Sequence, residues 1–184
     1  WVLWIARQTL RIHRPALGDC GLGLATGLAI MLAMLALYRF WLADAAAFTS
    51  AKESILAKIS GFGINTWWKY AALGTFYALV HSLLEEYYWR WFVFGQLKRI
   101  AALWPAIVIS SLAFAAHHVL LLGRYFGYDS LLTWLFSLGV VVGGAIWAWM
   151  YHRSGALWGV WLSHLLVDAG IFWIGWNIAR SSVV

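Results

Sequence analysis

The chain has 184 residues, 64% of them hydrophobic and 11% charged, with a formal net charge of +6 and a mean hydropathy of +0.76. Soluble domains run at roughly 45–50% apolar and about 25% charged, so a soluble fold is excluded and a single integral membrane domain over 1–184 is expected. The basic residues lie in clusters between apolar runs and no nucleic-acid motif accompanies them, which points to anionic lipid headgroups as their partner and away from nucleic acid.

In chain order, residues 1–14 carry Arg7, Arg11, His13 and Arg14 ahead of Pro15 and read as an interfacial helix or the end of an earlier span; the start at Trp1 in place of Met suggests an upstream segment. The first apolar run is Cys20 to Leu42. Cys20 is the only cysteine, which excludes an internal disulfide and a Cys-rich metal site. Residues 43–65, with Asp44, Lys52, Glu53 and Lys58 and then Gly61 and Gly63, predict a short helix along the membrane surface. The second run, Thr66 to Gln96, is longer than a bilayer requires and must tilt, bend or project. A third run follows from Trp104 to Leu122, a fourth from Ser130 to Tyr151 and a fifth from Gly155 to Ile178. Gly143 and Gly144 in the fourth are expected to permit close helix contact. The fold class is therefore all-α, a bundle of about five transmembrane helices with one or two interfacial helices. Fifteen Trp and eight Tyr suit the headgroup belts at the two membrane surfaces. With Arg90 inside the second run set aside, Lys and Arg divide six to six between alternate sides, so the positive-inside rule does not orient the chain.

Glu85 and Glu86 interrupt the second run. An ionisable group near the bilayer centre costs about 2.5–3.5 kcal/mol on insertion scales, so such residues face a protein interior or a watery cavity and mark function. Glu85 lies 13 residues before Lys98, His118 lies 14 after Trp104, and His164 lies 11 after Arg153. At ~1.5 Å per residue all three sit ~16–21 Å from the same membrane side and can meet. Residues four apart share a helix face, which pairs Glu86 with Arg90, Phe114 with His118, and His164 with Asp168.

These residues spell EExxxR (Glu85 to Arg90), FxxxH (Phe114 to His118) and HxxxD (His164 to Asp168), in that order on separate apolar helices. The pattern resembles the CPBP family of glutamic intramembrane proteases, which includes CAAX prenyl endopeptidases, bacteriocin-processing proteins and Abi proteins. The resemblance covers about 70–173. It implies an endopeptidase of a bacterial or archaeal cell membrane, acting without metal or other cofactor on a membrane-associated or lipidated protein or peptide. It also implies that Glu85 is the base, that His118 positions the same water, and that His164 donates to the oxyanion. The last motif of the family usually ends in Asn, and here Asp168 stands in that place.

The chemistry is coherent by itself: amide hydrolysis in a membrane needs a base to activate water, a donor for the tetrahedral oxyanion and a polar cavity holding both. Burial and a neighbouring cation act on a carboxyl in opposite senses, so two Glu beside an Arg can be tuned to different states. Glu86, one turn from Arg90, is expected to pair with it structurally, and Phe114 to pack. An ionised Asp168 would repel the oxyanion, so either it is protonated or it orients His164 and holds its donor tautomer, the second being preferred. His81 and His117 are expected to lie behind the reacting groups or in a satisfied interior. Two rivals stand beside the protease. A zinc site of His118, His164 and a carboxylate lacks the HExxH spacing. A proton-coupled carrier or scaffold would be expected to show repeats, and none is present.

Overall fold

The computed structural model describes residues 15–180, so Arg7, Arg11, His13 and Arg14, with the interfacial helix expected over 1–14, lie outside the described residues. The described chain is an all-α membrane helix bundle of six helices. α1 is Leu17–Leu42, α4 is Leu103–Phe126, α5 is Leu131–Ser154 and α6 is Trp158–Ala179; these four are long and apolar enough to cross a membrane. α2, Thr49–Gly61, is the short polar helix expected between the first two runs. α3 runs without a break over 67–100 and carries the Glu pair.

Each apolar run is extended by the polar or small residues at its ends. α1 starts at Leu17 and takes Asp19 into its first turn, where a carboxylate suits the unpaired N–H groups and positive dipole end. Pro105 is accommodated in the first turn of α4, where its missing N–H would have no helical partner. Ser130 caps α5 by accepting from the Leu132 N–H at 3.2 Å, and Gly155, at φ +65°, ends it in the left-handed region that glycine adopts without strain. At the same end Lys98 Nζ donates to His152 Nδ1 at 2.7 Å, which sets the ends of α3 and α5 at one level. Exposed Trp67, Trp68, Trp104, Trp134 and Trp158 all fall at helix starts, as a headgroup belt requires.

Of the two glycines singled out in the fourth run, Gly144 makes a close contact with α4 and Gly143 does not. Gly143 has nothing within 4 Å of a built Cβ, and Gly144 faces Phe114 and Ser111. The backbone-to-backbone approach is instead between α1 and α6: side chains on Gly23 or Gly159 would run into the facing backbone, and a Cβ on Gly27 would lie 2.8 Å from Ser163 Cα. Small residues allow this approach, which substitutes dispersion contact for a hydrophobic force that lipid does not supply. Thr26 Oγ1 donates to Ser163 Oγ across it at 3.2 Å.

α3 owes its usefulness to two wide turns. Tyr77–His81 and Tyr87–Phe94 are π-helical and flank an α-helical Ser82–Glu86. In a pure α-helix an i, i+4 stripe drifts by about 40° per step, since four residues turn roughly 400°. Wide turns lag where α turns lead, so Ala78, Ser82, Glu86, Arg90 and Phe94 all stay on the interior face, the last four with no exposed surface. Such π-helical turns concentrate at functional sites.

Candidate active site

Adjacent residues on a helix point about 100° apart, and this splits the Glu pair. Glu86 lies on the interior stripe and is fully buried; Glu85 lies at its edge with its side chain 16% exposed. Arg90 Nε is 2.9 Å from Glu86 Oε2, and both side chains are completely enclosed. Burial of an ion pair is costly unless further contacts complete it. Here the Phe114 and Trp147 rings cover the guanidinium, with centroids 4.9 and 5.6 Å from Cζ, a cation–π arrangement strengthened by the absence of competing solvent.

Glu86 has a second partner. Its Oε1 lies 2.7 Å from His164 Nδ1, and the His164 ring is stacked on Trp147 at 4.3 Å and 20°. Trp147 Nε1 donates to Ser163 Oγ at 2.9 Å, so the Ser163 that meets α1 also anchors the indole supporting His164. The other nitrogen, His164 Nε2, is 3.6 Å from Glu85 Oε2 and 3.6 Å from Asp168 Oδ1. The orienting carboxylate on Nδ1 is therefore Glu86. Asp168, expected to orient His164 and hold its donor tautomer, stands at the opposite nitrogen, 3.6 Å from Nε2.

Phe114 is buried at the centre, edge-on to Trp89, His117, His118, Trp147 and His164. His118 places Nδ1 3.0 Å from the Phe114 carbonyl oxygen. A carbonyl can only accept, so Nδ1 carries the proton and Nε2 is left as an acceptor able to hold a water hydrogen. The α4 imidazole directly against Glu85 is that of His117, whose Nε2 lies 3.3 Å from Oε1. His81, one turn before Glu85, brings Nδ1 to 4.0 Å from Oε2. A cleft of about 320 Å³ lined by His81, Leu84, Glu85, Tyr88, Trp89 and His117 opens between α3 and α4. Among the described residues, no three His, Cys, Asp or Glu side chains are arranged to hold a metal ion.

The structure thus gathers Glu85, Glu86, Arg90, His164 and Asp168 into one connected cluster, packs Phe114 against it, and sets His118 beside Phe114. Sequence reasoning did not find Trp147, Ser163 or Thr26; only the contact between helices reveals them. His117 carried a signal as the neighbour of a motif histidine, and His81 as the residue one turn before Glu85.

A family model, type II CAAX prenyl endopeptidase Rce1-like, matches residues 66–170, more than half of the chain. The match runs from the start of α3 into α6 and contains all three motifs. No curated protein and no solved structure matches the chain.

Proposed function

The chain belongs to the Rce1-like family of type II CAAX prenyl endopeptidases, and on that premise we propose that it is a glutamic-type intramembrane peptidase whose reacting groups are Glu85, His118, His164 and Asp168. It is an integral membrane protein of a CAAX protease family, with a membrane-associated substrate in a lipid bilayer. The observation that carries the finer reading is Glu85: a carboxylate at the wall of an open cleft, 3.6 Å from an imidazole whose other nitrogen is tied to a buried carboxylate–guanidinium pair.

In this reading, water held beside Glu85 gives it a proton as the water oxygen bonds to the scissile carbonyl carbon, with His118 Nε2 accepting the other hydrogen and fixing the water's orientation. The carbonyl oxygen becomes an oxyanion that His164 Nε2–H meets. With Nδ1–H given to Glu86, the ring must carry both protons to donate from Nε2, and the carboxyls of Glu86, Glu85 and Asp168 surround it as counter-charge. The carbon–nitrogen bond then breaks as Glu85 returns its proton to the leaving amine. Asp168, at the oxyanion side of the ring, supports a second role: as a neutral carboxylic acid it would donate there as the family's Asn amide does.

The test is cleavage of membrane-anchored peptides with CAAX-type tails, prenylated and unprenylated, by wild type and Glu85→Ala in the same detergent, with and without a strong chelator. Cleavage by wild type in chelator, and none by Glu85→Ala, is the expected result. Activity lost on chelation and restored by added zinc would move the chain to metal-dependent hydrolysis. An active Glu85→Ala would remove Glu85 from the reaction.

A further inference from the structure

Glu85 is bordered by histidines on the side the motifs do not describe. His117 Nε2 lies 3.3 Å from Oε1, and His81 Nδ1 lies 4.0 Å from Oε2. Their side chains are 42% and 40% exposed, and both line the cleft. At the depth of a helix midpoint such polar exposure is tolerated only against a water-filled cavity. Aromatic rings fix both imidazoles: His117 is stacked on Trp89 at 5.6 Å and 7°, and His81 lies against Tyr77 at 4.7 Å. Groups that only filled space at this edge would not need two aimed nitrogens.

We propose that His117, assisted by His81, is the proton exit of Glu85; the inference rests on Glu85 being the general base. Hydrolysis consumes one water and must place two protons. The first passes through Glu85 to the leaving amine. The second belongs to the hydroxyl retained in the new carboxyl group, which leaves as a carboxylate at neutral pH. That proton passes from the product to Glu85, from Oε1–H to the lone pair of His117 Nε2, and from the imidazolium to water in the cleft, which returns Glu85 to its ionised form; exchange of protons with the same water restores the His117 tautomer that carries its proton on Nδ1 for the next turnover. No oxidant or co-reactant is needed. His117 acts through Glu85 and is thus a positioning and relay residue.

The charged and titratable groups around His117 are Glu85, His81 and Tyr88 from α3, His118 on its own helix, Arg90 behind Phe114, and His164 and Asp168 from α6 beyond Glu85. A pH effect of His117 must therefore be separated from theirs by substitution. His117→Gln keeps a hydrogen-bonding group near Nε2 and removes the ability to pass a proton; His117→Ala opens a space that free imidazole can enter.

The experiment measures kcat, KM and the pH dependence of kcat for wild type, Glu85→Gln, His117→Gln, His81→Gln and His117→Ala, the last with and without imidazole, alongside melting temperatures. For His117→Gln, kcat is expected to fall on the order of 10²-fold at nearly unchanged KM and melting temperature, with one limb of the pH profile lost. His81→Gln should show a smaller change on the same limb. Imidazole should restore part of the His117→Ala rate. Wild-type kcat and pH profile in His117→Gln, or no imidazole rescue of a folded His117→Ala, would overturn the relay. If Glu85→Gln is inactive while the His117 variants are fully active, only the relay fails; if Glu85→Gln is active, the general-base reading fails with it.

Discussion

The two sides of Glu85 use the same residue types to opposite ends. On the interior side, Glu86, Arg90 and His164 are sealed by Phe114 and Trp147, and their heteroatoms approach within 2.7–2.9 Å. On the cleft side, His117 and His81 stand 3.3 and 4.0 Å away with exposed rings. Sealed charges hold geometry because any displacement leaves an uncompensated ion in low dielectric. Open imidazoles, held here only by ring contacts with Trp89 and Tyr77, can exchange protons with water. Glu85 sits on the boundary, rigid on one side and wet on the other, which is what a general base requires.

The largest contrast should come from substituting the two glutamates identically. Glu85→Gln keeps shape and removes the base, and cleavage should fall by about 10²- to 10⁴-fold with the melting temperature in detergent unchanged. Glu86→Gln should behave differently. It leaves Arg90 fully buried without its counter-ion, a loss of about 3–5 kcal/mol when a buried pair is broken, and it weakens the hold on His164 Nδ1. Thermal melting should drop sharply and activity should fall with it. Equal melting temperatures for the two variants would erase the distinction between sealed and open sides.

A smaller effect tests how far the sealed side extends. Gly27→Leu places a side chain against Ser163 Cα, where even a Cβ would sit at 2.8 Å, and the forced separation of α1 from α6 should cost about 1–3 kcal/mol. Because Ser163 holds the Trp147 indole under His164, turnover should fall as well. Gly143→Ala, with open space around it, should leave both melting temperature and turnover unchanged. A Gly27→Leu enzyme that melts early but turns over normally when folded would confine the sealed side to α3, α4, α5 and α6.

What could be read from the sequence was depth along each helix; what could not was rotation about it. Glu85 and His164 come within 3.6 Å of each other, a meeting that counting ~1.5 Å of rise per residue from one membrane side allows. Which nitrogen of His164 meets which carboxylate depends on the azimuth of α6 against α3, and that is set by the π-helical turns of α3, which leave no periodic signal, and by the Gly23, Gly27 and Gly159 contacts, where the GxxxG spacing of Gly23 and Gly27 marks a close-packing face without naming its partner. The same blindness put weight on Gly143, which faces away from neighbours, and left His117 behind His118. The Glu86–Arg90 pair was legible because both ends lie on one helix, four residues apart.

Asp168→Asn is the smallest of the expected effects and the most discriminating. Asp168 Oδ1 stands 3.6 Å from His164 Nε2, on the side where the oxyanion would form, and its Oδ2 is buried with no hydrogen-bond partner among the described residues. An ionised carboxylate there would oppose the developing negative charge, whereas a carboxylic acid or an amide would donate to it. If Asp168 acts as the neutral donor, Asn replaces one donor with another of nearly the same shape, and kcat should change by only about a few-fold in either direction, well short of the ~10²–10³-fold that loss of an oxyanion donor costs. Asp168→Ala, which removes the donor, should then fall further than Asp168→Asn at a comparable melting temperature. If Asp168 instead serves as counter-ion to a doubly protonated His164, Asn removes the charge as completely as Ala does, and the two variants should be equally impaired. Measuring kcat for the pair beside Glu86→Gln decides between these roles, since Glu86 is the carboxylate that geometry already assigns to the other nitrogen of the same ring.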